Sequence, residues 1–550
     1  MAAPIETGTM AAPLRYKSYT LNQLGVVAGM CDELGIAALI DRVIVQDSDQ
    51  RTVSVGTGVK ALILNGLGFV NRALYLTPPC CEGKPLERLL GPGIQAEHLN
   101  DEVLGRHLDA LYDYGGNRLY PLLAVQAVQR LGLVCRFGHL ETTSFHTDGQ
   151  YHSATEPEAG VVQITRGYRR DHRPDWNQVV LELIGERQAG IPLLMAPLNG
   201  NSSDKVSFRD TIKAHIGQLK TDVGLEYLGA DSALYTAETL PQMQDCFWFS
   251  RVPDTLSLAR ALIHTVAPAW RQPPDTPAQC SLCVTYAGVK QRWLIVWSPP
   301  AYQRALGTVT KQRLKHSQAN LKAFHQLCRQ DFTCETDARN ALVAFEKTLT
   351  LTTVVDSQIV AVPHYRRAGR PTKDRQPDAI SYRIEGALAS RPDQYTRQLQ
   401  QQSCFILATN QLDSEALPDD ELLSAYKDQQ KVERGFRFLK DPLFMASTLY
   451  LKSPKRIMAL MLVMTLCLLV YAALEYRIRQ ALNQHDQTFP DQKGQPTRTP
   501  TARWVFQFFT GIHLLVIAQE QVLVLNMNEH QRGLLAVLGE PYVALYSNSE

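Results

Sequence analysis

"LVCRFGHLETTSFHT" (residues 133–147) marks a change of texture in the chain. Upstream, "LNQLGVVAGMCDELGIAALIDRVI" (21–44) and "VGTGVKALILNGLGFV" (55–70) carry apolar residues at i, i+3 and i+4, broken only at the turn-rich "LTPPCCEGKPLERLLGPG" (76–93). That spacing predicts a helical domain over residues 1–135. From Val134 onward the apolar runs become short and rich in strand formers: "GVVQITRGY" (160–168), "VVLELI" (179–184), "IPLLMAPL" (191–198) and "LEYLGADSALYT" (225–236). A sheet therefore begins with the Thr/Ser-rich stretch, and Glu141 lies at its start. "QCSLCVTYAGVKQRWLIVWSP" (279–299) reads as a hairpin or strand pair, and "LKHSQANLKAFHQLCRQDF" (314–332) as a helix. "CFILATN" (404–410) returns to strand texture. The expected order is a mixed-sheet α/β core whose first part spans 136–253, a mixed, strand-rich insertion over 254–400, the last part of the core over 401–484, and a linker with a C-terminal segment over 485–550.

Composition narrows the class. The chain has 550 residues, 45% hydrophobic and 20% charged, with a formal net charge of +2, so any phosphate-binding surface has to be local. The eleven cysteines are dispersed; the adjacent Cys80 and Cys81 and the pair Cys280 and Cys283 lack a second pair or a nearby His at zinc-ligand spacing. A reducing cytosol is the expected compartment. The N-terminus shows no basic segment followed by an apolar run, so a secretory signal is not expected there. "IMALMLVMTLCLLVYAAL" (457–474) holds no charge over 18 positions and approaches the length of a bilayer span. Its shortness and its place directly after a polar-striped helix favour a buried core helix instead.

That preceding helix, "SAYKDQQKVERGFRFLKDPL" (424–443), puts Tyr426, Glu433, Arg437 and Lys440 within roughly 60° of one another on one face. A solvated salt-bridge face would look the same. Two further acids sit where sheet proteins place chemistry: Glu141, and Asp231 at the end of an apolar strand. Carboxylates held on rigid elements by three distant segments are what two-metal phosphoryl transfer uses.

The order "ETTSF", "LGADSALYT", "FSRVP", "CFILATN" and then Tyr426-x2-Gln-x3-Glu433-x6-Lys440 resembles the DDE transposases of bacterial insertion sequences, in the large family whose signature is Tyr, Arg, Glu and Lys at those intervals. The resemblance covers nearly the whole chain. It implies an RNase H-like core with a β-rich insertion and DNA cleavage and strand transfer with two Mg²⁺ or Mn²⁺ ions. It also implies double-stranded DNA as partner, both terminal inverted repeats and target, a homodimer acting on it, a nucleoid-associated cytoplasmic location and no membrane. By the same resemblance Asp231 and Glu433 are catalytic metal ligands, with Glu141 at the position of the first Asp. Tyr426, Arg437 and Lys440 flank the DNA-end phosphates, and Arg251 lies near the DNA strand end.

Two positions depart from the pattern. Gln429 stands where the signature has Arg, losing a bidentate phosphate contact and keeping a donor. Glu141 is one methylene longer than the family's Asp, and Asp148 in "HTDG" is the other candidate for that ligand. A transposase-derived protein that binds DNA ends without cutting them is the alternative function. Arg370, in the basic "YRRAGRPTKDR" (365–375), and the stretch "GYRRDHRPDWNQ" (167–178) are candidate DNA contacts, each with a solvated loop as the plainer reading. Trp248 could stack on a base or pack in the core.

Overall fold

The computed structural model describes residues 16–45, 52–68, 81–147, 158–167, 176–270, 278–366, 376–440, 448–449, 451, 453–517 and 521–548. Asp148, Arg370 and most of the basic stretch 167–178 lie outside these residues. Two units divide the chain: Met1–Ser250 with Glu415–Glu550, and Arg251–Ser414.

Among the described residues the first unit opens with β1 (Tyr16–Thr20) and the α-helices α1 (Leu24–Leu34), α2 (Ile36–Val43), α3 (Val55–Leu67), α4 (Leu86–Leu90), α5 (Asp101–Tyr114) and α6 (Gly116–Leu131). Their ends follow capping chemistry. The Ser54 side chain accepts from the Thr57 amide at the start of α3, and the Asn100 side chain accepts from the Val103 amide at the start of α5. Gly132, at φ 62°, supplies the left-handed turn that stops α6. The chain then enters β2 (Phe137–Thr147), β3 (Thr165–Arg166), β4 (Asn177–Glu186), β5 (Pro192–Leu198), α7 (Asp204–Val223), β6 (Tyr227–Ala230) and β7 (Phe247–Arg251). The spatial order is β5–β4–β2–β6–β7, with β3 a short addition to β4. Strand β4 is antiparallel to both β2 and β5, whereas β6 runs parallel to β2 and β7 parallel to β6.

The second unit holds α8 (Ser257–Val266), β8 (Ala278–Tyr286), β9 (Val289–Trp297), α9 (Pro299–Cys328), α10 (Glu335–Glu346), β10 (Thr352–His364), β11 (Ala379–Ser390), α11 (Pro392–Ser403) and β12 (Cys404–Thr409). The expected hairpin is β8–β9; Ala287 and Gly288, at φ 52° and 76°, form its two-residue left-handed turn. Strand β12, grouped by sequence with residues 401–484, runs antiparallel to β9 in this unit. The β10–β11 ribbon packs its Ile384 with Phe324 of α9 and with Ala338 and Leu342 of α10.

The chain re-enters the first unit at α12 (Asp419–Leu439), whose first turn places Asp419, Asp420 and Glu421 at the positive end of the helix dipole. After β13 (Thr448–Leu449), which extends alongside His146 and Thr147 of β2, comes α13 (Pro454–Gln484). It is the one helix among the described residues long and apolar enough to cross a membrane, and 89% of its most apolar window is buried inside the protein. Helices α1, α3, α5, α6 and α12 and strand β5 surround it. The charges flanking the apolar run are paired. Arg456 grips Asp109 through two bonds of 2.8 and 2.7 Å, and Arg477 reaches Glu33 at 3.0 Å. The chain closes with β14 (Phe489–Pro490), β15 (Pro496–Thr497), α14 (Ala502–Phe508), β16 (His513–Ile517), β17 (Gln521–Leu525), α15 (Glu529–Leu538) and α16 (Glu540–Leu545). Strand β16 pairs with both β1 and β17, and Tyr546 Oη donates to the Asn22 carbonyl at 2.5 Å, so the first and last described segments are joined.

Candidate active site

Three rows of side chains cross the central strands, set by parallel register. In the first, Phe137 of β2 stacks on Tyr227 of β6 at 5.1 Å, and Tyr227 on Phe247 of β7 at 5.5 Å. In the second, His139 and Phe249 meet edge-on at 5.6 Å across Gly229. Paired strands carry register partners on the same face, and alternation brings every second residue back to it. The next position on that face is Glu141 on β2 and Asp231 just beyond β6, one residue past the Leu140–Ala230 pair. Neighbouring strands lie about 4.8 Å apart, so two carboxylates from residues far apart in sequence reach the same level at the carboxyl end of β6.

Asp231 is fixed by its own turn. Its Oδ1 accepts from the Ala233 amide at 2.8 Å, and its backbone carbonyl accepts from Ser250 Oγ at 2.8 Å. Glu141 is fixed from above. Helix α12 lies over β2 and β6, burying Leu422, Ala425, Gln429, Val432, Phe436 and Leu439 along one stripe. From that stripe the Gln429 amide nitrogen donates to Glu141 Oε1. Both are nearly sealed from solvent, Gln429 at 8% and Glu141 at 4% exposure. Arg187 locks the same edge of the helix to the end of β4 through Asp428 at 2.6 Å, while Lys431 Nζ donates to the Arg187 carbonyl at 2.7 Å. On the far side Phe438 stacks on Tyr471 of α13 at 4.2 Å.

The signature stripe runs along the edge of this buried face. Tyr426 and Lys440 are half-buried, and Glu433 and Arg437 are exposed. Glu433 comes four residues after Gln429, one helical turn toward solvent. Register thus levels Glu141 with Asp231, Gln429 bonds Glu141, and Glu433 lies on the exposed edge of the helix. No three His, Cys, Asp or Glu residues among those described form a group that could hold a metal ion. Gln429, expected near phosphate, spends its amide on Glu141. Arg251 belongs to the second unit, where it pairs with Asp254 at 2.9 Å and lies over the Phe405 ring. Trp248 is wholly buried and packs edge-on against Tyr235.

Sequence reasoning missed His139, although alternation alone puts it two positions before Glu141 on the same face. Its ring is 0% exposed, and neither nitrogen has a hydrogen-bond partner among the described residues. Burial lowers its pKa to about 4; the Asp428 carboxylate opposes that shift, and the Arg187 and Lys431 cations add to it. The imidazole is therefore neutral at pH 7. Also missed was a cleft of about 220 Å³ beside α12, lined among others by Lys431, Arg434, Phe438, Tyr471, Tyr476 and Arg479. Phosphate could approach such a set, but no spacing in the sequence links α12 to α13.

Residues 16–125 match the family model of a domain of unknown function, DUF4277, which covers the N-terminal helices and not the carboxylate pair. No curated protein matches the chain. Among solved structures, the chain is similar to the cryo-EM structure of the piggyBac transposase synaptic complex with hairpin DNA, at 7% identity and a TM-score of 0.34, over 88% of this chain and 79% of that one.

Proposed function

We propose that this protein is a transposase of the DDE type, which cleaves DNA at the ends of an insertion sequence and transfers the strands, acting on an RNase H-like core. One observation carries the proposal: the parallel register that levels Glu141 with Asp231 under a helix bearing Glu433. The strand order β5–β4–β2–β6–β7, with only β4 reversed among the inner strands, supports the same core. On this reading Asp231 and Glu141 face the scissile phosphate, and Glu433 approaches from the helix. Tyr426, Arg437 and Lys440 steer and hold the DNA backbone along the same helix edge, and Arg251 and Arg370 contribute further backbone contacts.

Transposases of this type are expected to work with two Mg²⁺ or Mn²⁺ ions. The residues fit such ions in kind, as carboxylate oxygens on rigid elements, and not in number, because Glu433 does not join the pair and Gln429 occupies one oxygen of Glu141. The same observation favours a second reading, a transposase-derived protein that recognises DNA ends without cutting them.

One experiment separates the two. A duplex bearing the DNA that flanks the coding region is incubated with the purified chain and with Asp231→Asn, in Mg²⁺ and in Mn²⁺. Strand cleavage by the wild type alone, with both proteins binding the duplex, is the expected result. Binding by both without cleavage by either would leave the second reading standing.

A further inference from the structure

The two departures from the family signature, Glu for Asp at 141 and Gln for Arg at 429, lie 288 residues apart in sequence and touch in space. We propose that they form a matched pair, with Gln429 the positioning residue for Glu141, and that the two positions can be exchanged only together. The proposal rests on the transposase reading for its catalytic meaning and on packing alone for its structural meaning.

Packing sets a lower limit to the gap between helix and sheet. Helix α12 already lies as close to the sheet at this level as packing allows, because Val432, three residues after Gln429, presses directly on Gly185 of β4. A Cβ at Gly185 would lie 2.6 Å from Val432 Cγ2. Strand β4 is the antiparallel neighbour of β2, with Leu183 opposite Glu141, so the spacing at Gly185 is passed on to the neighbouring strand position. Within that spacing the side chains at 141 and 429 must together span from strand to helix. A Glu with a Gln does so, amide against carboxylate, with both groups buried.

Shortening the acid alone withdraws the carboxylate by about one bond length and leaves a buried amide without its acceptor. Lengthening the amide to Arg alone overfills the gap and forces a guanidinium against a carboxylate that already reaches the helix. Making both changes brings the sum to within one bond of the present one, with a shorter acid meeting a longer donor that can fold over the remaining bond. The pair thus accounts for two exceptions to the signature with one constraint, and it turns Gln429 from a lost phosphate contact into the residue that aims Glu141.

The test uses the full chain with Glu141→Asp, Gln429→Arg and the double variant. Two readouts are taken: urea unfolding followed on the first unit, and Mn²⁺-dependent cleavage of the end-bearing duplex. Each single variant is expected to lower the unfolding equilibrium constant's margin roughly tenfold, and the double variant to return within about threefold of wild type. Cleavage is expected to fall in each single variant and to recover in the double, a rescue that a merely structural contact at another place would not produce. Losses that simply add in the double variant would overturn the pairing. Coupling in unfolding with no cleavage by any form would sink the transposase reading and leave the pair intact. Cleavage without coupling would do the reverse.

Discussion

Gly229 separates His139 from Phe249, and its replacement by Ala is the sharpest probe of the sheet on which the site is built. The residue does not sit at positive φ, so a side chain there meets no backbone penalty in the folded state and the destabilising effect comes from space. A methyl group would lie 2.3 Å from Phe249 Cζ, 2.5 Å from Cε2 and 3.0 Å from His139 Nδ1. Carbon atoms pack at about 3.5–4.0 Å, so the ring has to retreat by more than an ångström. Phe249 is 1% exposed and His139 is fully buried, which leaves the ring nowhere to go. Overpacking of this kind costs about 1–3 kcal/mol, offset by about 0.4–1 kcal/mol from the stiffer unfolded chain. The expected net loss is about 1–2 kcal/mol, localised to β6. Hydrogen exchange read by mass spectrometry on peptides covering residues 225–235 should then show roughly tenfold faster opening. Adding Phe249→Leu should return most of the protection, because the smaller side chain vacates the volume the methyl needs. Unchanged exchange in Gly229→Ala, or no recovery in the double variant, would refute the reasoning that Phe249 and His139 close over a space only glycine leaves beside Asp231.

Other consequences can be measured separately. Asp231→Asn and Glu433→Gln should each abolish strand cleavage while end binding stays within a few-fold; parallel loss of binding and cleavage would assign them a structural role instead. Arg437→Ala and Lys440→Ala should each weaken DNA binding and reduce the slope of log affinity against log salt by about one, and an unchanged slope would remove that helix edge from the interface. His139 carries a folded pKa of about 4 against an unfolded value of 6.5, so between those limits the unfolded chain binds more protons. Stability should be fully present above pH 6.5 and fall as pH drops toward 4, by up to about 3 kcal/mol. His139→Leu should flatten that acid limb, and a limb of the same steepness in the variant would mean other groups titrate there.

Much of the local structure was legible in the sequence, and little of what joins it. The helix read over 424–443 followed from its period and is observed over 419–439, because a polar stripe can be read without knowing what it faces. Residues 279–299 read as a hairpin or strand pair, which is the β8–β9 hairpin, and the strand carrying Glu141 followed from its Thr and Ser content. Strand order did not, since which strand lies beside β2 depends on contacts far apart in the chain. The Glu141–Gln429 bond was hidden for the same reason. Each residue looked like an isolated defect in a signature, and only the packing of α12 on β2 showed that one answers the other. Gly229 gave no signal either: a lone glycine in a strand announces a close approach without saying to what.

Helix α13 has a consequence for how the protein is made. Its uncharged run would be at home in lipid, yet synthesis proceeds from the N-terminus at about 5–20 residues per second, so α1, α3, α5, α6 and β5 all leave the ribosome well before it. Most of the surfaces that will cover the helix are already present when it emerges, with α14 and α15 added afterwards, and so are Asp109 and Glu33, which take up the arginines at its ends. Chain order therefore serves as protection against mistargeting. A fragment that started after β5 would carry the same helix without its cover, and it would be expected in the membrane fraction or in aggregates rather than in solution.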